Sequence, residues 1–379
     1  MADGWWRKPK KEIADKTNLI DEIRRVILMK NTIRKICAAL LAASIASVSV
    51  ACSSQTAASS AAPTAAAPAS SQAASGAQGK SVRIGVIQYA VNASLDNCYT
   101  GFKKGMEESG YKLGGNLTVD FQNAQADPSN AGTIAKSMVA KKYDMIMAIA
   151  TPAAMAAYGA AKTTNTPVVF TSVVDPLASG LVQSLQKPGV NCTGSSDVLP
   201  LEDQMKMIRA FLPKAKRIGV LHTTSETNST ACLKKFQALA PKYGFEIVDI
   251  DVTGSSDVEP AVKALIAKGV DCINNFTDNN VVNHLPALLQ AANQAKIPIF
   301  GSEVEQVKDG CLASVSIDFV ALGEETGKMA AQILNGKAQP ATTPVYVVNF
   351  GKPVYNKAAL DKLGMKLPEG FANAEAVSK

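Results

Sequence analysis

The stretch Tyr143-Asp144-Met145-Ile146-Met147-Ala148-Ile149-Ala150-Thr151-Pro152-Ala153-Ala154 decides the fold class. Its first part is a short apolar run, long enough for a buried strand and too short for a helix that buries itself. Thr151-Pro152 reads as a helix start, with Thr as N-cap and Pro at the first helical position. Ala153 to Lys162 has helix-forming composition. Pro167-Val168-Val169-Phe170 is a second buried strand, followed by Thr171-Ser172-Val173-Val174-Asp175-Pro176. A strand–helix–strand unit with polar residues past each strand is the repeating piece of a parallel α/β sheet. In such sheets ligands bind beyond the carboxyl ends of the strands, which is where Thr151, Ser172 and Asp175 fall.

Working outward, Val82 to Gln88 reads as a first buried strand and Ser94 to Ser109 as an amphipathic helix closed by Gly110. Asn116 to Asn123 is a strand and Ser129 to Lys142 a helix. Leu177 to Leu199 is less regular. Leu201 to Phe211 reads as a helix, and from Lys216 the pattern repeats. Arg83-Ile84-Gly85-Val86 matches Arg217-Ile218-Gly219-Val220, Asp144 pairs with Asp271, and Pro167 pairs with Pro298, at offsets of 134, 127 and 131 residues. Equal order and similar spacing indicate two like α/β lobes. The counterpart of the opening stretch is Val270 to Glu303. Beyond it come a strand at Leu312 to Ile317, a helix at Ala321 to Leu334, a strand at Pro344 to Phe350 and a short helix at Lys357 to Leu363. The fold class is α/β: two Rossmann-like lobes with parallel sheets, joined by a three-stranded hinge. Crossings near Gly194–Asp197, Ser302 and Ala338 give an N-terminal lobe of residues 81–193 plus 303–337. The C-terminal lobe is then 194–302 plus 338–379.

The N-terminal region is of another kind. Residues 1–28 are charged and form either an upstream over-reading or an extension. Met29 begins an export-signal layout: Lys30, Arg34 and Lys35, then an apolar run of about 15 residues, too short to span a membrane. The signal is residues 29–51. Val48-Ser49-Val50-Ala51-Cys52 resembles a bacterial lipobox, with Ser49 where Leu is usual, and makes Cys52 a lipidation site; plain secretion with a free Cys52 is the alternative. Ser53 to Gly79 is almost entirely Ser, Ala, Pro, Gln, Thr and Gly, a composition without side chains to bury. Residues 52–80 thus form a lipidated Cys and a disordered tether.

Composition narrows the function. The net charge of +7 is concentrated at the start, where residues 1–51 hold ten Lys/Arg and five acids. From Cys52 onward the balance is +2, with no basic stripe for nucleic acid. The five cysteines after Cys52 lack CxxC spacing and only two histidines are present, so neither a zinc site nor a full disulfide framework is expected. No GxSxG, HExxH, GxGxxG or P-loop occurs at a strand end, so no enzyme activity and no cofactor are expected. His222 and His284 read as structural.

The candidate site is the set of polar turns at facing strand ends. In the first lobe these are Gln88, Thr151 with Ala153, Ser172 and Asp175; in the second, Ser225, Asn228, Asp278, Asn279 and Glu303. Hydroxyls and helix N–H groups on one side suit a carboxylate. Acids on the other suit an ammonium. Together they suit a zwitterion in a cleft between lobes. Simpler readings stand beside this one. Thr151, Ser172 and Asp278 can cap helices, Asp175-Pro176 can be a turn, and Ser225 to Asn228 resembles a capping sequence. Glu303 is hardest to dismiss, because an acid directly after a buried strand needs a partner.

An ordered set of short motifs resembles one family: Gln122-Asn123-Ala124-Gln125, Ala150-Thr151-Pro152-Ala153-Ala154, Ser172-Val173-Val174-Asp175-Pro176, Thr193-Gly194-Ser195-Ser196-Asp197, Thr224-Ser225-Glu226-Thr227-Asn228-Ser229 and Thr277-Asp278-Asn279. The chain is similar to bacterial ABC-transporter substrate-binding lipoproteins of the type I periplasmic-binding fold, a group with tryptophan- and tyrosine-binding members. The resemblance implies an extracytoplasmic protein that captures a small molecule and delivers it to a permease with a cytoplasmic ATPase. It also implies that Thr151, Ser172, Asp278 and Glu303 line the cleft. Asn274-Asn275 stands where apolar residues are expected. The ligand expected is an amino acid with an apolar or aromatic side chain, taken by hinge closure. A sugar- or nucleoside-binding protein of the same fold is the alternative; a secreted hydrolase and a repressor's effector domain are more distant ones.

Overall fold

The computed structural model describes residues 81–315, 317–348 and 353–378. The export signal, Cys52 and the tether lie outside the described residues. The first lobe alternates strands and helices: β1 (Val82–Gln88), α1 (Ala93–Glu108), β2 (Leu117–Asn123), α2 (Pro128–Ala140), β3 (Met145–Ile149), α3 (Thr151–Ala161), β4 (Val168–Thr171) and β5 (Cys192–Ser196). With β11 (Tyr346–Val347) they form a parallel sheet in the order β11-β5-β4-β3-β1-β2. Every residue of β3 and β4 is buried, which is why both read as continuous apolar runs rather than alternating ones.

The second lobe begins with α4 (Leu201–Phe211), β6 (Arg217–Thr223), α5 (Thr227–Leu239), β7 (Glu246–Val252), α6 (Ser255–Ala267) and β8 (Cys272–Asn274). It continues with α7 (Asn279–Asn283), α8 (Leu285–Gln294), β9 (Ile299–Phe300), α9 (Val304–Asp309) and β10 (Ala313–Val315). Its parallel sheet runs β7-β6-β8-β9. β10 lies against β9 through Leu312 N–H to Ile299 O (2.6 Å) and Gly301 N–H to Ala313 O (3.0 Å). It also pairs with β12 (Pro353–Asn356), which pairs with β13 (Glu375–Val377).

The internal repeat holds at the level of single hydrogen bonds. Asp144 Oδ2 accepts from Arg83 N–H at 2.8 Å, and Asp271 Oδ2 accepts from Arg217 N–H at 2.8 Å. Asp144 N–H returns to Arg83 O and Asp271 N–H to Arg217 O, both at 2.9 Å. Ile146 N–H meets Pro167 O and Ile273 N–H meets Pro298 O, both at 3.0 Å. Each Asp thus ties the start of the third strand of its lobe to the start of the first.

The sheets move the lobe boundaries. β5 belongs to the first lobe, so the first crossing follows Ser196 rather than Thr193. β10 belongs with the second lobe, so the chain does not return at Ser302. β11 is again in the first sheet, so the last crossing does not lie at Ala338. The cause is the polar face of β5: Thr193 donates to Thr343 O at 2.8 Å, and Ser195 shares hydroxyl bonds with Thr171 and Thr326. A strand that satisfies buried hydroxyls from neighbouring elements carries no apolar signature.

Between the crossings, α10 (Phe319–Leu334) packs along α1 on glycines four apart in both helices: Gly101 and Gly105 against Gly323 and Gly327. A Cβ on Gly105 would sit 2.1 Å from Glu324 O, and one on Gly323 would sit 2.0 Å from Cys98 O. The backbones touch, so no side chain fits there. The short helix at the chain's end, α11 (Lys357–Lys362), matches the expected one.

Candidate functional site

A small pocket lies between the lobes at the carboxyl ends of the strands. From the first lobe, Ser94 and Leu95 enter at the start of α1, Thr151 follows β3, Ser172 and Val174 follow β4, and Asp197 follows β5. From the second, Asn228 enters on α5, Thr277, Asn279 and Val282 around α7, and Glu303 ahead of α9. Phe319, the first residue of α10, completes the lining with Asn92 and Ala150. None of these residues is Lys, Arg or His.

The backbone is strained where the first lobe meets the cavity. Ala150 has φ 80° and Ser172 φ 55°, a region costly for side chains other than Gly. The twist at Ala150 makes it the N-cap of α3, so Thr151 is the first helical residue and not the cap, and Pro152 is the second. Freed from capping, Thr151 Oγ1 is buried with no hydrogen-bond partner. Ser172 caps nothing either; its hydroxyl donates to Asp197 Oδ2 at 3.1 Å. The other oxygen, Asp197 Oδ1, is buried and unpartnered. Burial lifts the Asp197 carboxyl to about 6.

The second-lobe wall is built on acids set behind it. Asp278 is fully buried and accepts from Thr223 N–H (2.6 Å), Thr223 Oγ1 (2.7 Å) and Val281 N–H (3.0 Å). It caps α7 and fastens it to β6, and it does not line the cavity. Beside it, Glu226 receives N–H bonds from Asn228, Asn279 and Asn280. Burial, then the neighbouring Asp278 charge, pushes the Glu226 carboxyl well above the ordinary carboxylate range. Glu303 does line the cavity and accepts from the Ser94 hydroxyl across the lobes; burial raises its carboxyl to about 7.

Of the residues expected to bind ligand, the structure brings Thr151, Ser172, Asn228, Asn279 and Glu303 together. It places the others elsewhere. Gln88 is buried beneath the site, donating to Ala90 O (2.8 Å) and Asp96 Oδ1 (2.7 Å), and so holds the turn after β1. Ala153 is buried in α3 away from the lining, and Ser225 is exposed. Asp175 caps its own turn at Ala178 N–H (2.9 Å) and pairs with Lys235 Nζ of the second lobe at 2.6 Å. Burial works against its charge, yet the Ala178 N–H and the Lys235 ammonium hold its carboxyl below the ordinary value. Asp197 was missed because Thr193-Gly194-Ser195-Ser196-Asp197 reads as a crossing; once β5 is a strand, Asp197 occupies the same place as Thr151 and Ser172. Asn274 and Asn275 are buried: Asn275 Nδ2 donates to Gln306 at 3.1 Å, and Asn274 Nδ2 reaches Gln204 at 3.4 Å while its Oδ1 has no partner. The five cysteines of the described residues are free and buried. Among those residues no cluster of three or more His, Cys, Asp or Glu is arranged to hold a metal ion.

Residues 83–377 match the family model of the ABC transporter substrate binding protein. The chain belongs to this family. It is 39% identical over 287 residues to a tyrosine-binding protein of Clostridioides difficile (strain R20291), an alignment that covers 76% of this chain and 82% of that protein. It also resembles an ABC domain from Streptococcus pneumonia solved in complex with L-Trp. The identity there is 37% and the TM-score 0.75, covering 79% of this chain and 100% of the other. A substrate-binding protein with adhesive properties from Clostridium difficile, in its ligand-free, open form, is also 37% identical. It covers 79% of this chain and 99% of the other, with a TM-score of 0.60. The fold is therefore that of periplasmic binding proteins, and the protein is a substrate-binding component of an ABC transporter.

Proposed function

We propose that this substrate-binding protein captures an amino acid with an apolar or aromatic side chain outside the cytoplasm and hands it to the permease and ATPase of an importer. The observation that carries the reading is the polarity of the interlobe cavity. Thr151 Oγ1 and the N-terminal N–H groups of α3 offer donors to a carboxylate. Asp197 and Glu303 offer charge to an ammonium, with no Lys, Arg or His in the lining to compete. Leu95, Val174, Val282 and Phe319 give an apolar side chain somewhere to lie. The family's tyrosine-binding and L-Trp-bound relatives support the same class of ligand.

Closure of the two lobes is the mechanism in this reading. Polar contacts join the lobes around the cavity, among them Ser94 with Glu303, Asn97 Nδ2 with Glu305 Oε1 at 3.2 Å, and Lys235 with Asp175. The higher TM-score with the L-Trp-bound relative than with the open one, at equal identity, supports a closed arrangement. Cys52, at the end of the export signal, is the proposed lipid anchor, and residues 53–79 the tether. Isothermal titration of the protein with each of the twenty amino acids tests the ligand class; heat from apolar or aromatic members is expected, and none from any amino acid would sink it. Metabolic labelling with a fatty acid tests the anchor, and Cys52→Ser is expected to abolish incorporation.

A further inference from the structure

We propose that Glu226 is a positioning residue that sets the second-lobe wall to recognise a primary ammonium group. The proposal rests on the amino-acid reading above and deepens it. Glu226 is 1% exposed and lies behind the lining. Its Oε2 accepts from Asn279 N–H at 3.1 Å, from Asn279 Nδ2 at 2.7 Å and from Asn228 Nδ2 at 3.1 Å. Its Oε1 accepts only from Asn280 N–H, at 3.1 Å. A proton on this carboxyl belongs on the less crowded Oε1, so Oε2 remains an acceptor in either ionisation state.

An acceptor fixes which way an amide faces. Both Asn228 and Asn279 must turn their NH2 groups to Glu226, and the second Asn228 N–H goes to Thr277 O at 3.1 Å. Their carbonyl oxygens are the ends turned away from Glu226. Asn228 Oδ1 is buried and has no partner, and both residues belong to the cavity lining. Asp197 Oδ1, in the same lining, is also buried and unpartnered. Orphaned buried acceptors of this kind call for a donor. An ammonium brings three donors and no acceptor; a hydroxyl brings one donor. The wall therefore selects a primary ammonium, and Glu226 selects the wall. If the amides were reversed, their NH2 groups would face the ammonium and reject it.

The test uses the full chain and isothermal titration. L-Tyrosine, L-tryptophan and L-leucine are compared with their des-amino counterparts, for the native protein, Glu226→Gln and Asn228→Ala. A Gln side chain can donate to an amide oxygen and so permits the reversed orientation. The native protein is expected to prefer the amino acid by about a hundredfold or more, and each variant to cut that preference roughly tenfold. The loss should fall on the amino acid and leave the counterpart's affinity nearly unchanged. A variant that weakens both ligands equally, or leaves the preference intact, overturns the role of Glu226. If Glu226→Gln does not fold, Asn228→Ala decides by the same ratio. No heat from any of the twenty amino acids with the native protein overturns the amino-acid reading and this proposal with it.

Discussion

The two lobes share a template at one end and differ at the other. At the amino ends of the strands, Asp144 and Asp271 make the same hydrogen bonds to Arg83 and Arg217. At the carboxyl ends, the first lobe presents single side chains on strained backbone, Thr151 after Ala150 and Ser172 itself. The second presents amides held by buried carboxylates, Asn228 and Asn279 on Glu226, with Asp278 fastening the helix below. The shared end fixes the architecture. The differing end gives the cleft two walls of unlike construction. The division is not hydroxyls against acids, as sequence reading suggests, because Asp197 belongs to the first lobe.

The comparison can be broken most severely where the lobes differ in construction. The first lobe is closed by α10, a long helix that returns from the far end of the chain and packs on α1 through glycines. Gly105→Leu would drive a side chain into the Glu324 backbone, and a loss of about 3 kcal/mol or more is expected in urea unfolding. The first lobe should then melt before the second, giving two transitions. A single unshifted transition would show that the glycine seam does not hold the lobe.

Asp197→Asn should cost about 1.5–3 kcal/mol of amino-acid affinity, the range of a hydrogen bond to a charged group, measured by titration calorimetry. The acids also give the comparison a pH axis. Burial raises Asp197 from 3.8 to about 6 and Glu303 from 4.5 to about 7. The folded, ligand-free protein therefore binds more protons than the unfolded chain across that window. Its stability should fall as pH rises from about 4 to about 7. Because an ammonium favours the ionised acids, ligand binding near pH 6 should release protons, and thermal stabilisation by ligand should grow with pH. Melting curves from pH 4 to 8, with and without amino acid, check the sign; Asp197→Asn should flatten the slope.

Thr151→Val sharpens the other face. The hydroxyl has no partner without ligand, so stability should hold while affinity falls by about 1 kcal/mol. Equal loss of Tm and affinity would make Thr151 a packing residue. The smallest effect belongs to Lys235→Ala. The Lys235 side chain is 56% exposed, and such surface pairs contribute roughly 0.2–1 kcal/mol. A few-fold weaker binding, through the dissociation rate in stopped-flow fluorescence, is the expected result.

Much of this was legible from residues. β1 and α4 fall on the predicted bounds, and β3 and β4 within a residue or two of theirs, because strands buried on both faces leave continuous apolar runs. The repeat was legible because Asp144, Asp271, Pro167 and Pro298 sit at matching strand starts. The crossings were not, since β5 is polar, and the strands read at Leu312 to Ile317 and Pro344 to Phe350 carry nothing that says which lobe's sheet they join. At the site, a polar residue after a recognised strand was a good guide, and it found Thr151, Ser172 and Glu303. It failed for Asp197, whose strand went unrecognised. It also failed for Glu226, because Ser225-Glu226-Thr227-Asn228 has the composition of a helix start, and only three-dimensional contact with Asn279 shows what the acid holds.

The seam of glycines between α1 and α10 bears on how the protein comes into being. Lys104 and Glu324, an ion pair at its edge, are 220 residues apart in sequence. The first lobe therefore cannot finish folding on its own residues as they leave the ribosome; it waits for a helix made almost last. Contacts this distant in sequence slow folding. A chain that reaches its compact form late stays threadable for longer, which suits the export proposed for this one.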